Sequence, residues 1–171
     1  DGCQFTARIV GEPVDYSIEE AREFCKEEGM AEVVQVVGPR FGDDKFNELR
    51  RSDIFVLPSY NECVPLSILE AMQFGLPVVS TTVGGIPDII RHGQTGLLTR
   101  PGSVKELSAT LKQLIADKGL RTRLGNNARE KFIQHYTLDN FYDGLSDIFD
   151  EVLGRRKKIK DVPRLHNVAH Q

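Results

Sequence analysis

The sequence has few cysteines, no long apolar run and little net charge. Its three cysteines, Cys3, Cys25 and Cys63, are odd in number and lack the spacing of a metal site. That pattern favours a reducing cytosol over a disulfide scaffold. No run approaches the ~20 apolar residues of a membrane-spanning helix, and no signal peptide is visible. We therefore expect a cytoplasmic protein.

The motifs of several common enzyme classes are also absent. No Gly-x-Gly-x-x-Gly follows a predicted strand, which argues against a dinucleotide-dependent dehydrogenase. No Asp-x-Asp triplet occurs, and we interpret Asp43 and Asp44 as the cap of a helix. Cys63 has no histidine near it in sequence to activate it as a nucleophile, so we interpret it as a small turn residue. The histidines, which show no metal-ligand spacing, are His92, His135, His166 and His170.

Charge is unevenly distributed, with a basic C-terminal end on an otherwise acidic chain. The chain has 171 residues, about one domain, and its net charge of −3 argues against a nucleic-acid-binding protein. Residues 154–171 contain six lysines and arginines and one acid, whereas residues 1–153 contain 16 basic and 24 acidic residues. We expect a domain over residues 1–153 and a basic tail over 154–171.

The basic run from Arg155 to Lys160 has two interpretations. Such a run is usually a solvated tail. The sharper hypothesis is contact with an anionic membrane surface, where each basic residue contributes ~1 kcal/mol. In that case the protein would be peripheral, at the inner face of the membrane.

Short β-rich runs alternate with helical patterns along the chain. Strands are predicted near residues 5–10, 33–37, 54–57, 78–81 and 96–99. Helices are predicted near residues 17–28, 43–51, 65–74, 87–91, 103–117, 120–132 and 138–153. This order predicts an α/β fold: a doubly wound, Rossmann-like parallel sheet of about five strands, with helices on both faces and extra C-terminal helices. The Val/Ile-rich strands agree, because both faces of such a sheet are covered.

Several helix starts have recognisable signals. The spacing of Ser17 with Glu20, and of Ser103 with Glu106, is that of a capping box. Pro65 suits the first turn of a helix, because a residue there needs no N–H donor.

A ligand site is predicted at the carboxyl ends of the strands, where open parallel sheets form their crevice. Glycines in that region allow a ligand to approach the backbone closely. The helix that starts near Pro65 offers unpaired N–H groups and a positive dipole end, which suit an anion. Pro65 has no N–H, so the donors must come from neighbours. These neighbours are Val64, Leu66 and Ser67. Further backbone positions at the carboxyl ends of the strands are Gly11, Gly38, Pro58-Ser59 and Thr81 to Gly85.

Two acidic residues bracket the turn into this helix. Glu70 lies about one turn inside the helix and suits hydrogen bonds from a diol, whereas Glu62 lies in the turn and could reach a second set of hydroxyls. The pair predicts recognition of a sugar and a ribose on either side of phosphate. Taken singly, Glu70 could be an ordinary surface acid of a helix and Glu62 a solvated loop acid.

The two glutamates belong to a longer string of motifs with a recognisable order. The string is Pro58-Ser59, Glu62-x7-Glu70, Leu-Glu-Ala-Met, Gly75 before Pro-Val-Val, and Gly84-Gly-Ile-Pro-Asp-Ile-Ile followed by Gly93-x-Thr-Gly-Leu-Leu. Over roughly residues 5–153 the sequence resembles glycosyltransferase family 4, the "group 1" retaining enzymes with the GT-B fold. The resemblance implies the C-terminal, donor-binding half of such a hexosyltransferase, without its first strand and without the N-terminal acceptor domain. It also implies a role in polysaccharide or glycolipid biosynthesis.

The resemblance assigns roles to the residues of the turn and helix. Glu70 would hydrogen-bond the nucleotide ribose, and Glu62, the candidate catalytic residue, would contact hydroxyls of the donor sugar. Backbone groups from Cys63 to Leu66, together with Ser67, would contact the sugar and the diphosphate. The reaction implied is transfer of a sugar from a nucleotide-diphosphate donor with retained configuration, without a bound metal or other cofactor.

A second loop would contact the base of the nucleotide. By the same resemblance Gly38, Pro39 and Arg40 would lie on the base, although Arg40 could equally be a solvated side chain. Gly11, at the end of the first predicted strand, is a further candidate for nucleotide binding.

The sequence departs from the family pattern in several places. Cys63-Val64-Pro65 stands where Gly-Phe-Gly or Gly-Phe-Pro is usual, and Asp88 stands where Glu is common. The basic residues that neutralise the diphosphate in the family belong to the strand, loop and helix that precede Phe5. Because the chain opens on Asp1 rather than Met, we expect a piece of a longer protein that does not turn over alone.

Two other functions are weighed against this one. A GT-B nucleotide-sugar epimerase shares the sheet and the donor pocket, but the Glu-x7-Glu string favours the transferase. A non-catalytic nucleotide-binding or interaction module of the receiver type would need acidic residues at the strand ends. The residues at the strand ends of this chain are not acidic: Gly11, Gly38, Pro58 and Thr81. A sheet without its first strand would also expose an edge, which favours self-association.

Overall fold

Strands and helices alternate along the chain in the computed structural model, which describes residues 4–154. The strands are β1 (Ala7–Val10), β2 (Val34–Gly38), β3 (Phe55–Leu57), β4 (Val78–Thr81) and β5 (Gly96–Thr99). The helices are α1 (Ile18–Glu27), α2 (Gly42–Arg50), α3 (Leu66–Gln73), α4 (Ile86–Ile89), α5 (Val104–Ala116), α6 (Lys118–His135) and α7 (Leu138–Val152). The predicted α/β fold with parallel strands is confirmed. The basic run from Arg155 to Lys160 lies outside the described residues.

The five strands form two hydrogen-bonded groups rather than one continuous sheet. β1 pairs with β2, and β3, β4 and β5 pair in that order, with every pairing parallel. Among residues 4–154, no strand pairs with the second edge of β1 or with the second edge of β3. The helical connection through α2 therefore joins two strands, β2 and β3, that are not hydrogen-bonded to each other.

The hydrophobic core is centred on β4. All four residues of that strand are buried, as expected for a central parallel strand covered on both faces. A cluster of buried side chains packs β4 and β5 against α5 and α6: Val79, Leu97, Leu114 and Leu124. The helix α3 contributes Ile68, Ala71 and Met72, all without exposed surface. The buried face of α3 therefore anchors that helix to the core.

Not every predicted helix start has the predicted cap. The capping box of α1 is confirmed: Ser17 Oγ accepts from the N–H of Glu20 at 3.1 Å, and Glu20 Oε2 accepts from the N–H of Ser17 at 2.8 Å. The interpretation of Asp43 and Asp44 as a cap is wrong. Phe41 occupies the N-cap of α2 without a side-chain cap bond, because the helix already begins at Gly42, and the two aspartates lie in its first turn.

The chain divides into two units, residues 1–133 and 134–171. The described part of the second unit contains α7, whose start is capped by Thr137 Oγ1 accepting from the N–H of Asn140 at 3.2 Å. Its apolar side chains are largely exposed: Leu138, Phe141, Tyr142, Ile148, Phe149 and Val152. No helix within residues 4–154 has both the length and the apolar composition needed to cross a membrane.

Candidate functional site

The turn from Pro58 to Pro65 leaves β3 and leads into α3, and buried hydroxyls hold its start in place. Ser80 Oγ donates to the carbonyl of Leu57 at 2.7 Å, and Thr81 Oγ1 donates to the carbonyl of Ser59 at 2.6 Å. Both hydroxyls come from β4 and are buried. The neighbouring strand thus fixes where the turn begins.

Two glycines hold the far side of the same turn. The N–H of Gly85 donates to the carbonyl of Cys63 at 2.7 Å. A Cβ on Gly85 would lie 2.6 Å from that carbonyl oxygen, and a Cβ on Gly84 would collide with the carbonyl of Glu62. Gly84 also has a φ of +52°, which favours glycine. The sequence predicts that glycines here let a ligand approach the backbone; in the structure, the missing side chains of Gly84 and Gly85 make room for the turn itself.

Glu62 lies half-buried inside this turn. Its Oε1 accepts a hydrogen bond from Ser59 Oγ at 2.8 Å. The residues after it border open surface: Cys63 is exposed, and Val64 is 55% exposed. The carboxylate is therefore oriented by the Pro58-Ser59 segment, and the backbone beside it is accessible.

The first turn of α3 is suited to an anion. Pro65 is its N-cap and makes no side-chain cap bond, and the first turn contains no acidic residue. Leu66 and Ser67 are the first helical residues, and N–H groups at these positions have no acceptor within the helix. Together with the positive end of the helix dipole, they can bind a negative group.

Glu70 lies one turn further along α3 and is paired with a residue that sequence analysis missed. Lys45 Nζ, from the first turn of α2, lies 2.5 Å from Glu70 Oε1. The two side chains are 36% and 28% exposed, respectively. The residues are 25 positions apart in a segment with no local pattern that joins them, so only the packing of α2 against α3 shows the contact.

The loop predicted to hold the base starts at the end of β2. The carbonyl of Gly38 accepts from the N–H of Gly11 at 3.2 Å, so the structure brings these two candidates together. Gly38 is buried at φ +82°, and a Cβ there would lie 2.8 Å from Ile18 Cδ1. Arg40 Nη1 donates to the carbonyl of Pro39 at 2.9 Å. A packing role of Gly38 against α1 is thus evident in addition to any contact with a ligand.

A cavity of about 430 Å³ lies along β2 and α1, away from the two glutamates. Three arginines line it: Arg8, Arg22 and Arg40. Arg8 makes two bonds with Glu48, at 2.6 and 2.8 Å, and these hold the pKa of the Glu48 carboxyl below its usual range. Arg22 donates to the carbonyl of Val36 at 3.1 Å. Arg40 is the only one of the predicted site residues in this lining.

The candidate residues thus form two groups. Glu62, the accessible backbone after it and Glu70 surround the first turn of α3, whereas Gly11, Gly38 and Arg40 lie at the ends of β1 and β2. The first turn of α2, with Lys45, follows directly on the second group and contacts the first. Among residues 4–154, no group of three or more His, Cys, Asp or Glu side chains is placed to hold a metal ion.

Comparisons with known proteins identify a family and several relatives. Residues 4–131 match the model of the family described as "Glycosyl transferases group 1". A sulfoquinovosyl transferase from Arabidopsis thaliana is 43% identical over 93 residues, which are 53% of this chain and 18% of that protein. A D-inositol 3-phosphate glycosyltransferase from Salinispora arenicola is 33% identical over 125 residues, which are 73% of this chain and 28% of that protein. The chain thus spans less than a third of these relatives.

Solved structures share the fold. The C-terminal domain of a group 1 family glycosyl transferase from Francisella tularensis superposes with a TM-score of 0.68 at 27% identity, over 78% of this chain and 70% of that chain. HepE from Anabaena, in complex with UDP and glucose, has a TM-score of 0.76 at 25% identity, over 85% of this chain and 40% of that chain.

The family match covers residues 4–131 and includes the turn, both glutamates and the Gly84-Gly85 pair. The parallel α/β architecture is that of the Rossmann-like domains of GT-B glycosyltransferases. This chain belongs to the group 1 glycosyl transferases.

Proposed function

We propose that this chain is the donor-binding part of a hexosyltransferase that moves a sugar from a nucleotide-diphosphate donor to an acceptor with retained configuration. One observation carries the proposal: Glu62 and Glu70 flank the first turn of α3, whose N–H groups suit an anion. A diphosphate at that turn would have the ribose on the side of Glu70 and the donor sugar on the side of Glu62.

The chemistry required of these residues is modest. Departure of the nucleoside diphosphate develops negative charge, which preorganised donors stabilise. Leu66 and Ser67 N–H groups and the helix dipole supply part of that stabilisation without a bound metal. Glu62, held by Ser59, orients the donor sugar through its hydroxyls, and Cys63 and Val64 contribute backbone contacts beside it. Glu70 anchors the ribose.

A nucleotide sugar is the donor class that the solved relatives support. HepE is solved with UDP, with UDP-glucose, and with UDP and glucose, and the latter two structures are 25% identical to this chain over 85% of its length. We assign the base to the loop with Gly38, Pro39 and Arg40, near Gly11. That loop precedes α2, which contacts Glu70 through Lys45.

The two strand groups support the proposal that the working enzyme contains more than this chain. Within residues 4–154, four strands have one edge without a strand partner: β1, β2, β3 and β5. We place a further parallel strand between β1 and β3, where it would join the two groups into a single sheet. We propose that this strand, further basic residues for the diphosphate and an acceptor-binding domain are required for turnover. The chain alone is expected to bind donor weakly and to be inactive.

Calorimetric titration of the chain with UDP, GDP and ADP tests donor binding. We expect weak binding of a nucleoside diphosphate that is lost in Glu70→Ala and retained in Glu27→Ala, a matched change of an exposed acid on α1. Binding of none of the three nucleotides, or binding as tight in Glu70→Ala as in the wild type, refutes the proposal. In the whole enzyme, Glu62→Ala should reduce turnover more than nucleotide affinity; unchanged turnover would remove Glu62 from the site.

A further inference from the structure

Glu70 is held by an ion pair that is partly removed from solvent. Lys45 Nζ lies 2.5 Å from Glu70 Oε1, and the two side chains are 36% and 28% exposed. Charge-assisted hydrogen bonds are stronger than bonds between neutral groups. Salt screens partly buried pairs less than exposed ones, so this contact restricts the carboxylate more than a surface pair would.

The packing of α2 against α3 keeps Lys45 in reach of Glu70. The rings of Phe46 and Phe74 lie 5.6 Å apart between centroids, and the guanidinium of Arg50 lies 5.4 Å from the Phe74 ring. Lys45 Nζ is itself 5.3 Å from the centroid of the Phe46 ring, within the range of a cation–π contact. The ammonium group is therefore placed by the helix interface as well as by its charge partner.

The geometry leaves part of the carboxylate for a ligand. A carboxylate has two oxygens and accepts about four hydrogen bonds. Lys45 contacts Oε1, so Oε2 remains suited to accept from the hydroxyls of a diol. Lys45 also lies in the first turn of the helix that follows the Gly38 to Arg40 loop, and so it connects the proposed base-binding loop with the proposed ribose anchor.

We propose that Lys45 is a positioning residue for nucleotide binding: by holding Oε1 of Glu70, it directs Oε2 towards the two hydroxyls of the donor ribose. This inference rests on the proposed function, because it requires a ribose at Glu70. It goes beyond that function by assigning the selectivity for a ribose diol to a pair of residues on two helices.

The test compares a nucleoside diphosphate with its 2′,3′-dideoxy analogue, by calorimetry on the chain. The nucleotide used is whichever of UDP, GDP and ADP the wild type binds most tightly. We expect Lys45→Met to weaken binding of the ribonucleotide about tenfold, or about 1.4 kcal/mol, and to leave the dideoxy analogue within about twofold of the wild type. Lys45→Arg should restore most of the affinity because it retains the positive charge. Lys105→Met, a matched change of an exposed lysine on α5, should behave as wild type.

The possible results separate three situations. An equal loss for both nucleotides in Lys45→Met would mean that Lys45 supports only the local structure, and no loss for either would mean that it does not act on Glu70; both overturn the inference and leave the proposed function standing. Absence of binding by the wild type refutes the proposed function and the inference together.

Discussion

The contact between Gly85 and the turn that contains Glu62 predicts that a side chain at position 85 will destabilise the chain and displace the candidate site. Gly85 has an ordinary φ of −83°, so alanine there is not excluded by backbone conformation. An added Cβ would, however, lie 2.6 Å from the carbonyl oxygen of Cys63 and 3.1 Å from Val64 Cγ2. Backbone cannot yield as a flexible side chain does, so Gly85→Ala must push the turn away from α4.

The expected cost follows from this clash. Overpacking costs about 1–3 kcal/mol, and the displaced turn also weakens the 2.7 Å bond from the Gly85 N–H to the carbonyl of Cys63. We therefore expect the free energy of unfolding to fall by about 2 kcal/mol, which shifts the urea midpoint by about 1 M for a slope of about 2 kcal/mol/M. Urea denaturation followed by circular dichroism measures this change.

Gly144→Ala is the matched control. Gly144 lies in α7, and an added Cβ would meet nothing within 4 Å. Since glycine within a helix costs about 0.5–1 kcal/mol relative to alanine, this variant should be slightly more stable than the wild type. If Gly85→Ala is as stable as the wild type within about 0.5 kcal/mol, a difference ordinary for harmless surface changes, the turn does not rest on Gly85 and the steric argument fails.

Two further predictions concern the part of the chain around β1. At pH 7, Glu48→Gln should lower the free energy of unfolding by up to about 1 kcal/mol. Because Arg8 lowers the pKa of Glu48 from its usual 4.5, the stabilisation is present above that value and is lost as pH falls through the lowered pKa. Urea midpoints of the two proteins should converge as the pH falls below the lowered pKa of Glu48; a difference that stays constant with pH contradicts the assignment. Separately, we expect the chain to self-associate through the open strand edges, and Ile9→Lys, at a half-exposed position in β1, to reduce this in size-exclusion chromatography at rising concentration. A wild-type chain that is monomeric throughout contradicts this second prediction.

Much of the fold is predictable because its signals are local. The five strands and the helices follow from the alternation of Val/Ile-rich runs with helical spacing, which depends on neighbouring residues only. The capping box at Ser17 and Glu20 was predicted for the same reason. The start of α2 was not: acidic residues near a helix start fit both the N-cap and the first turn, and here the helix begins at Gly42, so that Asp43 and Asp44 lie in its first turn.

In the candidate site, too, the features with a local sequence signal were predictable and the others were not. By its spacing alone, Glu-x7-Glu across a strand-to-helix turn puts Glu62 in the turn and Glu70 on the helix. The roles of Gly84 and Gly85 needed the structure, because a sequence shows that a backbone can be approached closely but not what approaches it. Here the Glu62 turn takes up that space.

The sequence by itself determined the order of strands and helices, the family, and the positions of the two carboxylates before and after one helix start. The individual helices and strands and the two carboxylates depend on residues within about ten positions of one another, and the family depends on several such local motifs in a fixed order. Only the tertiary structure decided that the strands form two separate groups, that the turn rests on a pair of glycines and that Lys45 holds Glu70. Each of these depends on helices and strands packing across 20 or more residues of chain, and contacts at that separation leave no local pattern in the sequence.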